Sequence, residues 1–81
     1  MNNSFISITV KFFATLRKYG PDKELLTIPK NSEVKLLFDK YNVPKNERNA
    51  IILINGRPHK NLKTILNDGD LIAIFPPIGG G

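Results

Sequence analysis

Apolar and polar residues alternate at the start of the chain. Residues 5–13 read FISITVKFF, and this period of two predicts a β-strand with one buried face. Residues 14–22 form a connection that closes with the tripeptide GPD, a strong turn signal. Residues 23–29 are predicted to return as a shorter strand, so the first two strands make an antiparallel hairpin with a wide loop.

The period then changes to that of a helix. Between Asn31 and Tyr41 the apolar residues recur three or four positions apart, which predicts a helix with one buried face. These residues are Val34, Leu37, Phe38 and Tyr41. Ser32 is expected to be the N-cap, because its hydroxyl can accept from a free N–H of the first turn. The sequence Asn-Val-Pro that follows ends the helix, because the residue before a proline is pushed out of the α region.

The second half of the chain consists of short apolar runs separated by turn signals. Residues 50–55 are predicted as a strand that ends in Asn55-Gly56, a pair suited to a type I′ turn. The remaining expectations are a short edge strand at 57–59, one helical turn at 61–66 and a last strand at 71–75. One amphipathic helix with four to five strands predicts an α+β fold in which a mostly antiparallel sheet wraps around the helix.

Length and composition exclude several classes of protein. Eighty-one residues make one domain, and 41% apolar residues supply a modest core. The chain has no Cys and one His, His59, so thiol catalysis, disulfides, iron–sulfur clusters and cysteine or multi-histidine metal sites are excluded. No apolar run reaches the length that spans a bilayer. The first ten residues show no secretory signal, so a cytoplasmic protein without membrane contact is expected.

The net charge of +5 permits a nucleic acid or an acidic protein as partner. The basic residues are scattered from Lys11 to Lys63 with acids between them, whereas binding along a phosphate backbone needs clustering on one face. A solvated basic surface is therefore favoured over nucleic-acid binding. His59 as a catalytic base is also disfavoured, because no nucleophile or acid stands beside it in a recognisable arrangement.

Residues 76–81 read PPIGGG and predict an extended tail behind a domain of residues 1–75. The two prolines are stiff and extended, and six residues reach about 20 Å beyond the sheet. Glycines without side chains can enter a narrow channel in another protein, and the terminal carboxylate is unhindered. The alternative is an inert, frayed end.

The order of short motifs resembles the MoaD/ThiS family of ubiquitin-like sulfur carriers over essentially the whole chain. Residues 11–17 (KFFATLR) are similar to the family's first strand and the loop after it. Residues 68–77 (DGDLIAIFPP) are similar to the closing motif of the small subunit of molybdopterin synthase. The resemblance implies a β-grasp roll with a mixed sheet, in which the first and last strands are parallel and central, and a flexible C-terminal tail.

The resemblance also implies a function carried by Gly81 rather than by an active site, so the chain is not expected to be an enzyme. Its carboxylate would be adenylated and converted to a thiocarboxylate that donates sulfur in molybdopterin synthesis. The tail residues expected to thread into a partner are Pro76, Pro77, Ile78, Gly79 and Gly80. The implied partners are the large subunit of molybdopterin synthase, a ubiquitin-activating-like enzyme that uses ATP, and a sulfur donor such as a persulfide. No cofactor or metal is expected on the chain itself.

Several functions stay open. The small subunit usually ends in two glycines, and this chain has three, so a ThiS-like carrier for thiamine thiazole synthesis or a ubiquitin-like protein modifier are alternatives. A plain interaction module with an inert tail is a third. Phe13, Leu53 and Phe75 are expected to remain on the sheet face away from the helix. They are interpreted as one docking patch, and the alternative is scattered exposed side chains.

Overall fold

Four strands form one mixed sheet in the computed structural model, which describes residues 4–58 and 60–77. The strands are β1 (Phe5–Phe12), β2 (Glu24–Pro29), β3 (Ile51–Ile54) and β4 (Leu71–Phe75), in the order β2-β1-β4-β3. β1 pairs in parallel with β4 and antiparallel with β2, and β3 pairs antiparallel with β4. The prediction that the first and last strands are parallel and central is confirmed.

One α-helix, α1 (Lys35–Lys40), packs on one face of the sheet. Val34, Leu37 and Phe38 are fully buried, as their spacing predicts, and Tyr41 is half-buried. The ring of Tyr41 meets the ring of Phe12 edge to face at 4.9 Å between centroids. This arrangement is the β-grasp roll that the sequence predicts.

The core lies between α1 and the inward side chains of all four strands. Strand β1 alternates strictly, because its even-numbered residues are buried and its odd-numbered ones are not. The buried apolar residues are Ile6, Ile8, Val10, Phe12, Leu16, Ile28, Val34, Leu37, Phe38, Val43, Ile52, Ile54, Leu66, Ile72 and Ile74. They form one continuous cluster, so each strand has one inward face and one face turned away from the helix.

The helix is shorter than predicted, and its N-cap prediction is wrong. It begins at Lys35 rather than near Asn31, because Glu33 forms a β-bridge with Ile65 instead of a helical turn. The Ser32 hydroxyl donates to the carbonyl of Pro29 at 2.6 Å. The cap position is occupied by Val34, whose side chain makes no capping bond.

Two other sequence predictions are corrected. The expected edge strand at 57–59 reduces to one bridge between Arg57 and Ile54 in the described residues, and His59 lies outside them. Residues 61–66 contain a turn instead of the expected helical turn. In it, the Thr64 N–H donates to the carbonyl of Asn61. The Asn55-Gly56 turn is confirmed, because both residues have the positive φ that a type I′ turn requires.

Two short 3₁₀ helices, Ala14–Lys18 and Lys45–Glu47, were not predicted. The first occupies the wide loop between β1 and β2, and its Leu16 is buried in the core. The second lies between α1 and β3. Within the described ranges, no helix is both long and apolar enough to cross a membrane.

Candidate functional site

The sheet face turned away from α1 carries the residues of the predicted docking patch. Because Ile72 and Ile74 of β4 point into the core, their neighbours Leu71, Ala73 and Phe75 point the opposite way. The strand register then places Ile51 of β3 directly beside Phe75. We call this side of the sheet, which faces away from α1, the open face.

Phe13 and Phe75 stack on the open face. Their ring centroids are 4.2 Å apart and the planes are inclined by 8°. Phe13 lies one residue beyond β1, yet its backbone stays extended and its N–H donates to the carbonyl of Ile74 at 3.0 Å. Backbone pairing therefore holds the two rings together at the end of β4, where the tail begins.

Leu53 belongs to the same surface. With Ala14, Ile51, Phe75 and Pro76 it lines an apolar depression of about 330 Å³. The structure thus brings Leu53 next to Phe75, and Phe75 next to Phe13. The open-face patch comprises Phe13, Ile51, Leu53, Phe75 and Pro76, and all five residues are half-buried. Sequence analysis did not single out Ile51, although its spacing of two from Leu53 puts both on one side of β3.

A basic group borders the patch. The Nζ atom of Lys11 lies 5.6 Å from the centroid of the Phe13 ring, within the range in which a cation is attracted to an aromatic face. Lys11 stands next to Ala73 in the β1–β4 register. An apolar centre with a cation at its border matches the usual anatomy of a protein interface, in which the rim is polar.

The first residues of the tail lie between the two 3₁₀ helices. Pro76 and Pro77 line a pocket of about 240 Å³ together with residues of both helices and of the segment after the second one. Its other lining residues are Thr15, Leu16, Asn46, Glu47 and Asn49. This junction of the tail with the domain was not predicted. It joins segments that are about thirty residues apart in the sequence, and hydrophobic periodicity indicates only local structure.

Glu47 is the charged centre of that junction. It accepts a hydrogen bond from the Tyr19 hydroxyl, and the Nζ atom of Lys18 lies 3.6 Å from its carboxylate. The hydrogen bond to Glu47, then burial and the charge of Glu47, raise the pKa of Tyr19 above its ordinary value. These contacts connect the two 3₁₀ helices on either side of the tail.

Four predicted tail residues lie outside the described residues: Ile78, Gly79, Gly80 and Gly81. The geometry of the predicted sulfur-carrying group is therefore not part of the structure. Among the described residues, no three His, Cys, Asp or Glu side chains come together in a way that could hold a metal ion.

The central parallel strands, the single packed helix and the tail that follows β4 define a β-grasp protein of the ubiquitin-like class. The sequence model of the ThiS family matches residues 10–81, nearly the whole chain. The chain therefore belongs to the ThiS family, within the ThiS/MoaD type of ubiquitin-like sulfur carriers. Small carriers of this type are generally not catalytic.

Solved structures with the same fold include a molybdopterin converting factor subunit and a small archaeal modifier protein. A putative molybdopterin converting factor subunit 1 from Pyrococcus furiosus is 28% identical, with a TM-score of 0.72 over 90% of this chain and 99% of that one. The small archaeal modifier protein 1 from Methanosarcina acetivorans is 29% identical, with a TM-score of 0.67 over 98% and 100%.

A third structure contains two proteins. It is a complex of subunits 1 and 2 of the molybdopterin-converting factor from Helicobacter pylori. The matching chain of this complex is 28% identical, with a TM-score of 0.56 over 94% of this chain and 100% of that one. A comparison with curated proteins finds no match.

Proposed function

We propose that this protein is a sulfur carrier in which Gly81 is converted to a thiocarboxylate, and that it serves as the small subunit of a molybdopterin synthase. The observation that carries the proposal is the family match, which extends through the glycine tail to residue 81. The similarity to a molybdopterin converting factor subunit 1 supports the choice of pathway. The expected site of action is the cytoplasm.

The proposed chemistry follows from the groups involved. A carboxylate is a poor acyl donor, because oxide does not leave and the anion repels nucleophiles. Attack of the Gly81 carboxylate on the α-phosphate of ATP releases pyrophosphate and forms an acyl adenylate, in which AMP is a good leaving group. Sulfide then attacks the carbonyl carbon and displaces AMP, which leaves the thiocarboxylate. If the donor is a persulfide, a further thiol must cleave the resulting S–S bond.

In this proposal the chain supplies the nucleophile and the arm that delivers it, and its partners supply the active sites. Residues 76–81 act as the tail behind the domain. Pro76 and Pro77 hold the start of the tail extended, and Ile78, Gly79 and Gly80 thread into the partner. ATP binds to the adenylating enzyme, and no cofactor is bound by the chain itself.

The open-face patch is the proposed docking surface for the large subunit of the synthase and for the adenylating enzyme. It is apolar at its centre, and it lies at the end of β4 where the tail begins. A partner that covers Phe13 and Phe75 therefore also receives the tail. A two-subunit complex from Helicobacter pylori, one chain of which has the same fold, supports a large-subunit partner.

The test is an intact-mass measurement. The protein is incubated with ATP, sulfide and its cognate adenylating enzyme, and we expect a mass gain equal to the replacement of one oxygen by sulfur. The loaded protein, mixed with the large subunit and the cyclic pterin precursor, should yield the dithiolene. Loading without dithiolene formation, but with transfer to a thiazole synthase, would assign the chain to the thiamine pathway instead.

A second candidate function is protein modification through Gly81. The observation that favours it is the similarity to a small archaeal modifier protein 1, together with a third glycine beyond the usual two. Modification and sulfur loading share the adenylation step. Digested cell extracts that contain lysines linked by an isopeptide bond to Gly81 would demonstrate a modifier, and their absence from cells that accumulate thiocarboxylate would exclude one.

A further inference from the structure

The first two residues of the tail, Pro76 and Pro77, lie in the surface of the domain rather than away from it. Both are half-buried. Pro76 lines the apolar depression on the open face and also the pocket between the two 3₁₀ helices, and Pro77 lines only that pocket. We call this pocket the tail seat, and its other lining residues are Thr15, Leu16, Asn46, Glu47 and Asn49.

Backbone pairing does not set the direction of the tail. Pro76 and Pro77 have no N–H to donate, and the pairing of β4 with β3 stops at Phe75, which lies opposite Ile51. The direction is therefore set by the side chains that surround the two prolines. Because successive prolines form a stiff, extended segment, their orientation in the tail seat determines the direction in which the chain continues beyond Pro77.

One wall of the tail seat is fixed to the core. The chain leaves β1 through Ala14, whose φ of 54° is uncommon for a residue other than glycine. Thr15 and Leu16, which follow in the first 3₁₀ helix, form the wall, and Leu16 is buried in the core. Unusual backbone conformations such as that of Ala14 occur often at functional sites.

The opposite wall has less support. It is the second 3₁₀ helix, Lys45–Glu47, which contains no buried residue. Arg48, the next residue, donates to the carbonyl of Val43 at 2.8 Å and to Asp39 at 2.7 Å. These bonds hold the segment to the end of α1, but they do not connect it to the first wall.

Glu47 makes that connection. Among the side chains that the structure describes, it alone joins the second 3₁₀ helix to the first one and to the residue behind it by polar contacts. It accepts a hydrogen bond from the hydroxyl of Tyr19, which packs against the core. The Nζ atom of Lys18 lies 3.6 Å from the same carboxylate, but an ion pair between partly exposed groups contributes little. The Tyr19 hydrogen bond is therefore the main contact between the two walls.

We propose that Glu47 is a positioning residue for the reactions of Gly81, a role that rests on the proposed sulfur-carrier function. By holding the second 3₁₀ helix to Tyr19, Glu47 keeps the tail seat closed around Pro76 and Pro77. The tail then leaves the domain in one direction relative to the open-face patch. A partner docked on the patch receives the tail at a fixed place and does not have to order it first.

The length of the tail makes this direction important. Gly81 is four residues beyond Pro77, so over about 13 Å of extended chain a change of about 10° at Pro77 moves the terminal carboxylate by about 2 Å. A misplacement of about 1 Å can reduce a rate a hundredfold. The glycines adapt to part of the error, so we expect a loss of roughly tenfold when the tail seat opens.

The first test measures the pyrophosphate released during adenylation, over a range of carrier concentrations. Glu47→Ala should lower kcat roughly tenfold and leave KM unchanged, because KM reflects docking of the open-face patch when the chemical step is slow. Glu47→Gln keeps an oxygen that accepts from the Tyr19 hydroxyl, and it should restore kcat. Glu33→Ala is the matched control, because Glu33 is an exposed glutamate that does not line the tail seat.

The partner in the hydrogen bond gives an independent check. Tyr19→Phe removes the same bond and should lower kcat as much as Glu47→Ala does. The double variant should be no slower than either single variant, because both changes remove one interaction. Unchanged kcat in Glu47→Ala, a loss that is equal in Glu47→Gln, or losses that multiply in the double variant would overturn the positioning role.

A second readout does not depend on sulfur chemistry. The chain has no Cys, so Gly80→Cys takes a single nitroxide label, which broadens the NMR signals of nearby backbone amides. We expect Glu47→Gln to leave the set of broadened amides unchanged and Glu47→Ala to spread it over more of the domain. An unchanged set in Glu47→Ala would overturn the tail seat. If the set spreads but even the unsubstituted chain is not adenylated, the tail seat is supported and the sulfur-carrier function is wrong.

Discussion

At the scale of single residues, Gly20 is required by the ring of Phe12. A Cβ atom at Gly20 would lie 2.2 Å from Cε1 and 2.3 Å from Cδ1 of that ring, closer than any real contact. Phe12 is buried against Tyr41, so the ring has little room to move. We expect Gly20→Ala to lower the free energy of unfolding by about 1–3 kcal/mol, measured by urea denaturation.

Gly56 provides the matched control. It has no heavy atom within 4 Å of the position of a Cβ, but its φ is +78°. Gly56→Ala should therefore cost only the backbone strain of a left-handed residue, about 1 kcal/mol. Phe12→Leu replaces the ring by a smaller side chain. It should reduce the loss of unfolding free energy caused by Gly20→Ala, and it should not change the loss caused by Gly56→Ala. A Gly20→Ala cost that is unaffected by Phe12→Leu would contradict the contact.

The two tyrosines make the stability sensitive to alkaline pH. Burial, then the hydrogen bond to Glu24 and its charge, raise the pKa of Tyr41 above 10.0, and the pKa of Tyr19 is also raised. An unfolded tyrosine ionises near pH 10, so the folded state holds both protons more tightly. The stabilisation is complete below about pH 10 and is lost as the pH rises further.

Absorbance of tyrosinate measures this directly. In a pH titration, the folded chain should ionise at higher pH than the chain in urea. Tyr41→Phe leaves Tyr19 as the single tyrosine. It should remove the high-pH part of the titration curve of the folded chain. Identical curves for the folded and the unfolded chain would show that neither hydroxyl is held as described.

At the scale of elements, Asn55 connects β3 to the start of β4. Its φ of 54° suits the turn, its Nδ2 donates to Asp70 Oδ1 at 2.9 Å, and its Oδ1 accepts from the Leu71 N–H at 2.9 Å. Asp70 is buried and also accepts from the Asn67 N–H. Replacing Asn55 therefore leaves polar groups of both Asp70 and Leu71 with fewer partners.

Two substitutions separate the hydrogen bonds from the backbone conformation. Asn55→Gly keeps the positive φ and loses the side-chain bonds, and should cost about 1–3 kcal/mol of unfolding free energy. Asn55→Ala adds the strain of a left-handed alanine, about 1 kcal/mol more. Chemical denaturation checks both values, and equal stability of Asn55→Gly and the unsubstituted chain would refute the role of the side chain.

The local sequence pattern was sufficient to predict the four strands of the sheet but not the ends of the helix. β1 follows from the alternation of apolar and polar residues, and β4 follows from an apolar run that begins after a turn signal. The helix is shorter than its apolar spacing suggests, because Glu33 pairs with Ile65 and the Ser32 carbonyl accepts from the Leu66 N–H. Those partners are over thirty residues away, and no local pattern reports them.

The candidate site was predictable to the same extent. Successive side chains of a strand point to opposite faces, which was enough to expect Leu53 and Phe75 on one face, and Phe13 continues the pattern of β1. The tight stack of Phe13 on Phe75 depends on the parallel register of two strands about sixty residues apart. The pocket around Pro76 and Pro77 needs two 3₁₀ helices that have no distinctive sequence pattern of their own.

At the scale of the whole molecule, the open-face patch should matter more for partner binding than for folding. We expect Phe75→Ala to weaken binding to the synthase large subunit or the adenylating enzyme by about 2 kcal/mol or more, the usual cost at an interface hot spot. Phe75 is only half-buried, so the free energy of unfolding should change less than the free energy of binding.

Ile65→Ala is the control, because Ile65 is an apolar side chain that is 45% exposed and does not belong to the open-face patch. It should leave partner affinity unchanged in calorimetric titrations. A Phe75→Ala chain that is unfolded, or one that binds as well as Ile65→Ala, would contradict the assignment of the patch.

Sulfur loading at Gly81 is the central claim, and its most direct test is the intact mass of tail-length variants after reaction with ATP, sulfide and the adenylating enzyme. Deleting Gly81 retracts the carboxylate by about 3.3 Å, and a misplacement of about 1 Å can reduce a rate a hundredfold. Adding one residue after Gly81 places its carbonyl in an unreactive peptide bond.

The account predicts that the unchanged chain gains the mass of an oxygen-to-sulfur exchange, with the sulfur on Gly81 in the fragment spectrum. Both variants should remain unloaded while melting like the unchanged chain. If the extended variant acquires sulfur without being trimmed and still supports cofactor synthesis, Gly81 does not carry the sulfur and the account is wrong.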